Sequence, residues 1–251
     1  MQSHALRRTA ALLALLLTAA AMAAPDRARA QQEGGPPSID TPYRWIDGSF
    51  RVAPYAARLE TGRGNLELGP ESTQLYGARA RIRLTGPISL EGNLGYASSE
   101  RSVIDPRLSG GPAAVESVPF RWVVGEAVAQ LALTGQRTWH GIQPYVLIGG
   151  GMVLAVDEPR SQALSDSADA AFRFEMNAAP TATAGAGAEW RISETIGVGF
   201  EVRDHLWRLK TPEGFFREDV LDSIEEANAP APEETQWTNN LEFGISLWYY
   251  F

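Results

Sequence analysis

The sequence predicts an all-β fold: an eight-stranded antiparallel up-and-down transmembrane β-barrel preceded by a cleavable signal peptide. Three observations carry that expectation. An apolar N-terminal run follows a short basic start, eight stretches of alternating character fill most of the rest, and the connections between them alternate between short and long. A spanning barrel strand needs about 9–11 residues. Barrels of this kind keep short turns on one rim and long loops on the other.

Residues 1–30 read as the signal peptide. Arg7 and Arg8 form the charged start, and residues 10–24 form an apolar run with Leu12, Leu13, Leu15, Leu16 and Leu17. Two small-x-small sites follow, Ala21-Met22-Ala23 and Ala28-Arg29-Ala30, and either suits a signal peptidase. The run is short for a membrane anchor, which needs about 20 residues. Residues 31–44, rich in Gln, Gly and Pro, read as a flexible periplasmic leader, and residues 45–251 as the barrel. The chain has no cysteine, so no disulfide and no thiolate metal site supports the fold. Its net charge of −8 would fall to −11 on losing residues 1–30, which carry four arginines and one aspartate. A chain so acidic is a poor partner for nucleic acid.

The eight expected strands cover about 46–59, 73–85, 89–99, 119–134, 142–156, 173–192, 196–209 and 236–251. The last is the clearest. Successive side chains on a strand point to opposite faces. Leu241, Phe243, Ile245, Leu247, Tyr249 and Phe251 therefore share one face, and Asn240, Glu242, Gly244 and Ser246 share the other. Ala78, Ala80, Ile82 and Leu84 likewise oppose Arg79, Arg81 and Arg83, and Val198, Phe200 and Val202 oppose Gly199, Glu201 and Arg203. The runs at 46–59, 119–134 and 142–156 alternate less cleanly, and a bulge near Pro54 or Trp122 would account for it.

Connections 86–88, 135–141 and 193–195 are short, whereas 60–72, 100–118, 157–172 and 210–235 are long. Aromatic residues near strand ends suggest two girdles. Trp45, Trp139, Trp190, Tyr249 and Phe251 would mark one level; Tyr96, Trp122, Phe174, Trp207 and Trp237 would mark the other. Trp207 fits poorly, since it shares parity with Arg203 and would turn inward.

On these features the chain resembles the small eight-stranded outer-membrane barrels that share the OmpA-type transmembrane domain, over about residues 46–251. The resemblance rests on the terminal Leu-Glu-Phe-Gly-Ile-Ser-Leu-Trp-Tyr-Tyr-Phe, on Pro144-Tyr145 followed by Gly149-Gly150-Gly151, on residues 185–191 and on residues 199–204. It implies an outer-membrane location and contact with outer-membrane lipid and lipopolysaccharide. It also implies biogenesis through periplasmic chaperones and the barrel-insertion machinery, with Phe251, Tyr249 and Leu247 as the insertion signal. The family's peptidoglycan-binding domain is not expected here.

The inward charges are the principal candidate site. Arg79, Arg81, Arg83, Arg191 and Arg203 would share the interior with Glu91, Glu126, Glu189, Glu201 and Glu242. An eight-stranded barrel is just wide enough for its side chains to fill it, and an unpaired buried charge costs several kcal/mol. An ionic plug that rigidifies the barrel is the expected result, and a gate in a narrow ion pore is the alternative. Inward glycines such as Gly77, Gly95, Gly187 and Gly199 would make room for neighbouring Arg and aromatic side chains.

No catalytic, cofactor or metal site is expected. His205 is inward by parity, but Asp204 beside it faces the other way, so the two cannot form a dyad. A lipid-modifying enzyme built on His205 is therefore a lesser alternative. The acidic 210–235 loop carries Phe216, Val220 and Ile224 at four-residue spacing, which suggests a short amphipathic helix. The favoured function is a non-enzymatic envelope protein, structural or acting in surface interaction through its long loops. A narrow small-solute or ion channel is the alternative, and a soluble lipocalin-like barrel is disfavoured by the inward charges.

Overall fold

The computed structural model describes residues 42–46, 48–108, 111–156, 167–174, 176 and 178–251. The expected signal peptide and the leader up to residue 41 lie outside them. Ten strands form one antiparallel sheet: β1 (Tyr43–Trp45), β2 (Phe50–Thr61), β3 (Thr73–Thr85), β4 (Ile88–Asp105), β5 (Ala113–Ala132), β6 (Arg137–Trp139), β7 (Ile142–Ala155), β8 (Ala178–Arg191), β9 (Ile196–Lys210) and β10 (Thr235–Tyr250). Eight of them close into a ring in the order β7-β5-β4-β3-β2-β10-β9-β8, and the β7–β8 pairing joins its ends. The remaining two, β1 and β6, pair with each other at the short-turn rim.

Closure follows from the solvent. Hydrocarbon offers no partner to an exposed N–H or C=O group, so a membrane-spanning sheet must have no free edge. The outward face agrees: Ile148, Phe200, Phe243, Ile245 and Leu247 are all exposed, Ile148 by 68%. A belt of such residues costs free energy in water and none in acyl chains. At the short-turn end Trp45, Trp139, Trp190, Tyr249 and Phe251 are exposed as one girdle. The opposite girdle is thinner than the spacing suggests. Tyr76, Tyr96 and Trp237 are exposed there, but Trp122 and Trp207 are fully buried inside, 6.0 Å apart edge to face, and Phe174 packs against their cluster. Parity decides it, since each indole lies on the inward row of its strand.

The interior therefore changes character along its length. Toward the long loops it is apolar, built from Leu59, Leu75, Phe120, Trp122, Val124 and Trp207. A second apolar cluster continues outward, in which Leu66, Val103, Ile104, Phe172, Phe215 and Ile224 meet. The described parts of the long connections pack over this end of the barrel. A 3₁₀ turn over Ser167–Phe172, another over Glu213–Phe216 and helix α1 (Glu218–Glu226) supply part of this cap. The helix expected in the acidic loop exists, and it buries Val220 and Ile224. Phe216, the third expected member, is part-exposed because it lies in the preceding 3₁₀ turn, where the helical period does not hold; Phe215 takes the inward place.

Two further differences from expectation are local. The expected long loop at 100–118 is mostly strand: β4 and β5 stay paired from Ser98 to Asp105 and form a ribbon past the point where β3 stops pairing. Past the barrel neither face of the ribbon meets lipid on one side and ions on the other, so the pattern that marks the barrel strands fades. At the other rim, Tyr43 and Arg44, at the end of the expected leader, belong to β1. β2 and β7 stand four strands apart in the ring of eight, so the segment before β2 crosses the mouth to reach β6 in the β5–β7 turn. Ile46 is buried at that crossing, its N–H donates to the Gln136 carbonyl at 3.0 Å, and the Ile46 carbonyl accepts from the Arg83 guanidinium at 2.8 Å.

The belt assignment makes a direct prediction. Ile148→Arg places a charge near the middle of β7 facing acyl chains, which should cost about 2–4 kcal/mol. Urea titration of reversible folding into phospholipid vesicles would read this as a lowered midpoint. An unchanged midpoint would remove Ile148 from the hydrocarbon.

Candidate functional site

Strand periodicity brings one inward row from each strand to the barrel axis, and in the middle of the bore these rows carry ions. Arg79 and Arg81 come from β3, Glu91 from β4, Glu126 from β5, Glu189 from β8, Glu201, Arg203 and His205 from β9, and Glu242 from β10. Arg51 enters from β2. All ten are at most 8% exposed.

Their contacts form one connected network. Arg51 bonds Glu189 at 2.9 Å, and Arg81 bridges Glu189 at 2.9 Å and Glu91 at 2.5 Å. Arg203 holds Glu91 and Glu201. Arg79 reaches Glu201 at 2.7 Å and Glu242 at 2.6 Å. His205 closes the far end, with Nδ1 2.9 Å from Glu126 and Nε2 2.9 Å from Glu242. Neutral donors use the remaining lone pairs: Tyr145 donates to Glu201 at 2.8 Å, Asn93 to Glu126 at 3.0 Å, Thr183 to Glu126 and Tyr250 to Glu189. With Tyr145 on β7, every strand of the ring contributes. Four guanidiniums and one imidazole face five carboxylates, and a doubly protonated ring, donating from both nitrogens, makes the set neutral.

Aromatic faces complete the solvation. The Arg79 guanidinium lies 4.0 Å from the Tyr55 ring centroid, and that of Arg81 lies 4.1 Å from Trp248. Such contacts strengthen when water is excluded. The rings fit because inward glycines face them. A Cβ on Gly95 would stand 2.4 Å from the Tyr55 hydroxyl, and one on Gly187 would stand 2.7 Å from the Tyr145 ring.

Eight of the ten charges singled out in the sequence lie in this network: Arg79, Arg81, Glu91, Glu126, Glu189, Glu201, Arg203 and Glu242. Arg83 and Arg191 do not. Both come from the last inward positions of their strands, at the short-turn rim. Arg83 is half-buried and holds the Ile46 carbonyl; Arg191 lies 4.0 Å over the Tyr250 ring and reaches the Glu194 carbonyl at 3.3 Å. Sequence reasoning missed Arg51, whose run alternates poorly, and gave His205 no structural part. Parity already turns His205 inward with Arg203, and it also reaches Arg51, which is in step with Tyr55. Asp204 faces away from His205 and accepts the Asn240 N–H at 3.1 Å. Leu247, Tyr249 and Phe251, the residues expected to form an insertion signal, are exposed on the outward face, where Phe251 packs on Tyr249 at 4.9 Å and its N–H donates to the Phe50 carbonyl.

A closed eight-stranded ring, apolar outside and ionic within, defines a membrane-spanning β-barrel of the outer-membrane class. Among solved structures, the chain is similar to the outer membrane protein OprG of Pseudomonas aeruginosa, at 13% identity over 84% of this chain and 99% of that one, with a TM-score of 0.49. It is also similar to the E. coli Outer Membrane Protein W (15% identity, 81% and 98% covered, TM-score 0.47) and to Neisserial surface protein A (10% identity, 80% and 97% covered, TM-score 0.46). No protein-family model and no curated protein matches the chain.

Removing one member of a buried pair strands its partner, which costs about 3–5 kcal/mol. Arg81→Met should therefore lower the unfolding free energy read from urea titration of refolded protein by that much, because Glu91 and Glu189 both lose a partner. Arg83→Gln at the rim should cost less, because the half-buried Arg83 strands no buried carboxylate of the network when it is lost. Equal losses for the two would contradict the boundary drawn between network and rim.

Proposed function

We propose that the chain is a sealed, non-enzymatic outer-membrane barrel, exported by its N-terminal signal, that serves an envelope-structural or surface-interaction role through its outer loops. One observation carries this reading: the bore is filled. Ten mutually paired ionic groups occupy its middle, and the Trp122–Trp207 cluster and the folded loops close the end above them. A conducting path needs a continuous polar lumen, and here an apolar plug follows the ionic one.

The same geometry speaks against catalysis at His205. Both its nitrogens face carboxylates, and the ring is 2% exposed at the barrel axis, away from any lipid or surface substrate. Outer-membrane lipid and lipopolysaccharide are then partners of the outer belt. Chaperones and insertion machinery act during biogenesis, with Leu247, Tyr249 and Phe251 read as the terminal signal. Any extracellular ligand would meet the cap, whose chemistry lies in loops carried by a rigid scaffold.

Planar-bilayer recordings test the sealed state. The reconstituted protein should insert without stable unit conductance, and Arg81→Ala should leave it silent because the apolar plug remains. Unit steps in the parent protein that change size in Arg81→Ala would make the network a gate and the protein a channel.

A further inference from the structure

Two cavities on the outward face of the barrel join end to end across β2, β3 and β10. The one nearer the long loops, about 320 Å³, is polar, with Arg58, Ser72, Gln74, Tyr76, Tyr96 and Ser98 on its walls. The other, about 600 Å³, runs toward the middle of the belt between Phe200, Val202, Phe243 and Ile245, over Ala56. Arg58, Gln74 and Tyr76 line both, so the two are halves of one groove. Register explains its shape. Tyr76 stands opposite Ala56, Ala56 opposite Ile245, and Ile245 opposite Phe200, so a methyl group interrupts a row of large side chains.

The polar half presents the exposed guanidinium of Arg58, which is ion-paired with Glu60 through Nε alone. Arg58 points outward; Glu60 fixes its guanidinium by accepting from Nε at 2.7 Å, and its terminal nitrogens have no protein partner among the described residues. Two exposed tyrosines, directly opposite each other on β3 and β4, flank the pocket. Their ring faces carry negative quadrupoles and attract C–H edges, a surface that suits a sugar ring. The groove thus has the polarity profile of an amphiphile standing in the outer leaflet, with head at Arg58 and chain over Ala56.

We propose that this groove is a specific binding site for a phosphorylated glycolipid of the outer leaflet, with its phosphate on the Arg58 guanidinium, its sugar between Tyr76 and Tyr96 and an acyl chain along Ala56. Phosphate suits Arg58 because the guanidinium fork matches its oxygens and the charge-assisted bonds are about twice as strong as neutral ones. The assignment rests on the outer-membrane reading above, since only there does the belt at this height meet such a lipid.

Native mass spectrometry of the full chain in phospholipid nanodiscs tests it, with bisphosphorylated lipid A, chemically dephosphorylated lipid A and phosphatidylethanolamine as probes. The parent protein should retain bisphosphorylated lipid A about tenfold over the dephosphorylated form, the factor that roughly 1.4 kcal/mol gives. Arg58→Gln should abolish that preference, and Ala56→Trp should reduce retention of both lipid A forms. Both substitutions face outward and leave the interior network untouched, so heat-modifiable mobility on gels should be unchanged. Equal retention by the parent and both variants would reduce the groove to ordinary annular contact. Retention of phosphatidylethanolamine equal to that of lipid A would overturn the glycolipid assignment. A chain that never enters the nanodisc would sink the membrane reading itself, whereas a folded, inserted barrel without lipid preference sinks only the site.

Discussion

Everything in this molecule follows from the need to leave no backbone group unpaired in hydrocarbon. That requirement closes the sheet through the β7–β8 pairing, and eight strands in a ring leave a bore only as wide as the side chains that fill it. Charges placed there cannot be screened by water, so they must satisfy one another. The β3 arginines answer with Glu91, Glu189, Glu201 and Glu242, and each of these carboxylates in turn has a second partner in Arg51, Arg203 or His205. Large rings and forked guanidiniums fill a tight bore only where a neighbour gives way, which is why glycine faces Tyr55 and Tyr145.

The polarity gradient along the axis divides the labour of the two ends. The ionic middle fixes strand relations, while the apolar upper third lets the loops fold inward as a continuation of the core. Phe172 meets Phe215 at 6.3 Å in the cap, and Val103 and Ile104 reach the same cluster from the ribbon. Loops anchored this way present a shaped surface instead of a set of tethers, because ordering entropy is met by apolar burial. At the opposite rim the crossing segment with Ile46 closes the mouth using backbone pairing to β6.

How much of this the sequence shows depends on whether the two faces of a strand differ. β3 reads clearly because Arg79 and Arg81 alternate with Ala80 and Ile82, and β9 and β10 read clearly for the same reason. β5 does not, because Val118, Phe120, Trp122 and Val124 point inward in the apolar third while Val123 points to lipid, so both faces look alike. Trp122 falls into the expected girdle for that reason, whereas Trp207, on β9, sits near a strand end but shares the inward parity of Arg203. Arg51 was lost in the same way, hidden in a run where Val52, Ala53, Pro54, Tyr55 and Ala56 show no contrast. β1 and β6 are three residues each, too short for any period, and only tertiary pairing reveals them.

The buried network also has a consequence beyond stability. Apolar side chains of similar volume often replace buried ion pairs without loss, so stability alone is a weak reason for ten ionic groups in one bore. Register is a stronger one. A slip of one residue sends every inward side chain of a strand to the other face. For β3 that would put Arg79 and Arg81 into acyl chains, at about 2–4 kcal/mol each near the midplane. It would also strand Glu91 and Glu189 inside. A greasy interior would tolerate the same slip, since Ala80 and Ile82 would serve within as well as without. The arginines and glutamates therefore act as an alignment code, read across seven of the eight strands, that allows a single pairing of a sheet whose outer face alone would permit several.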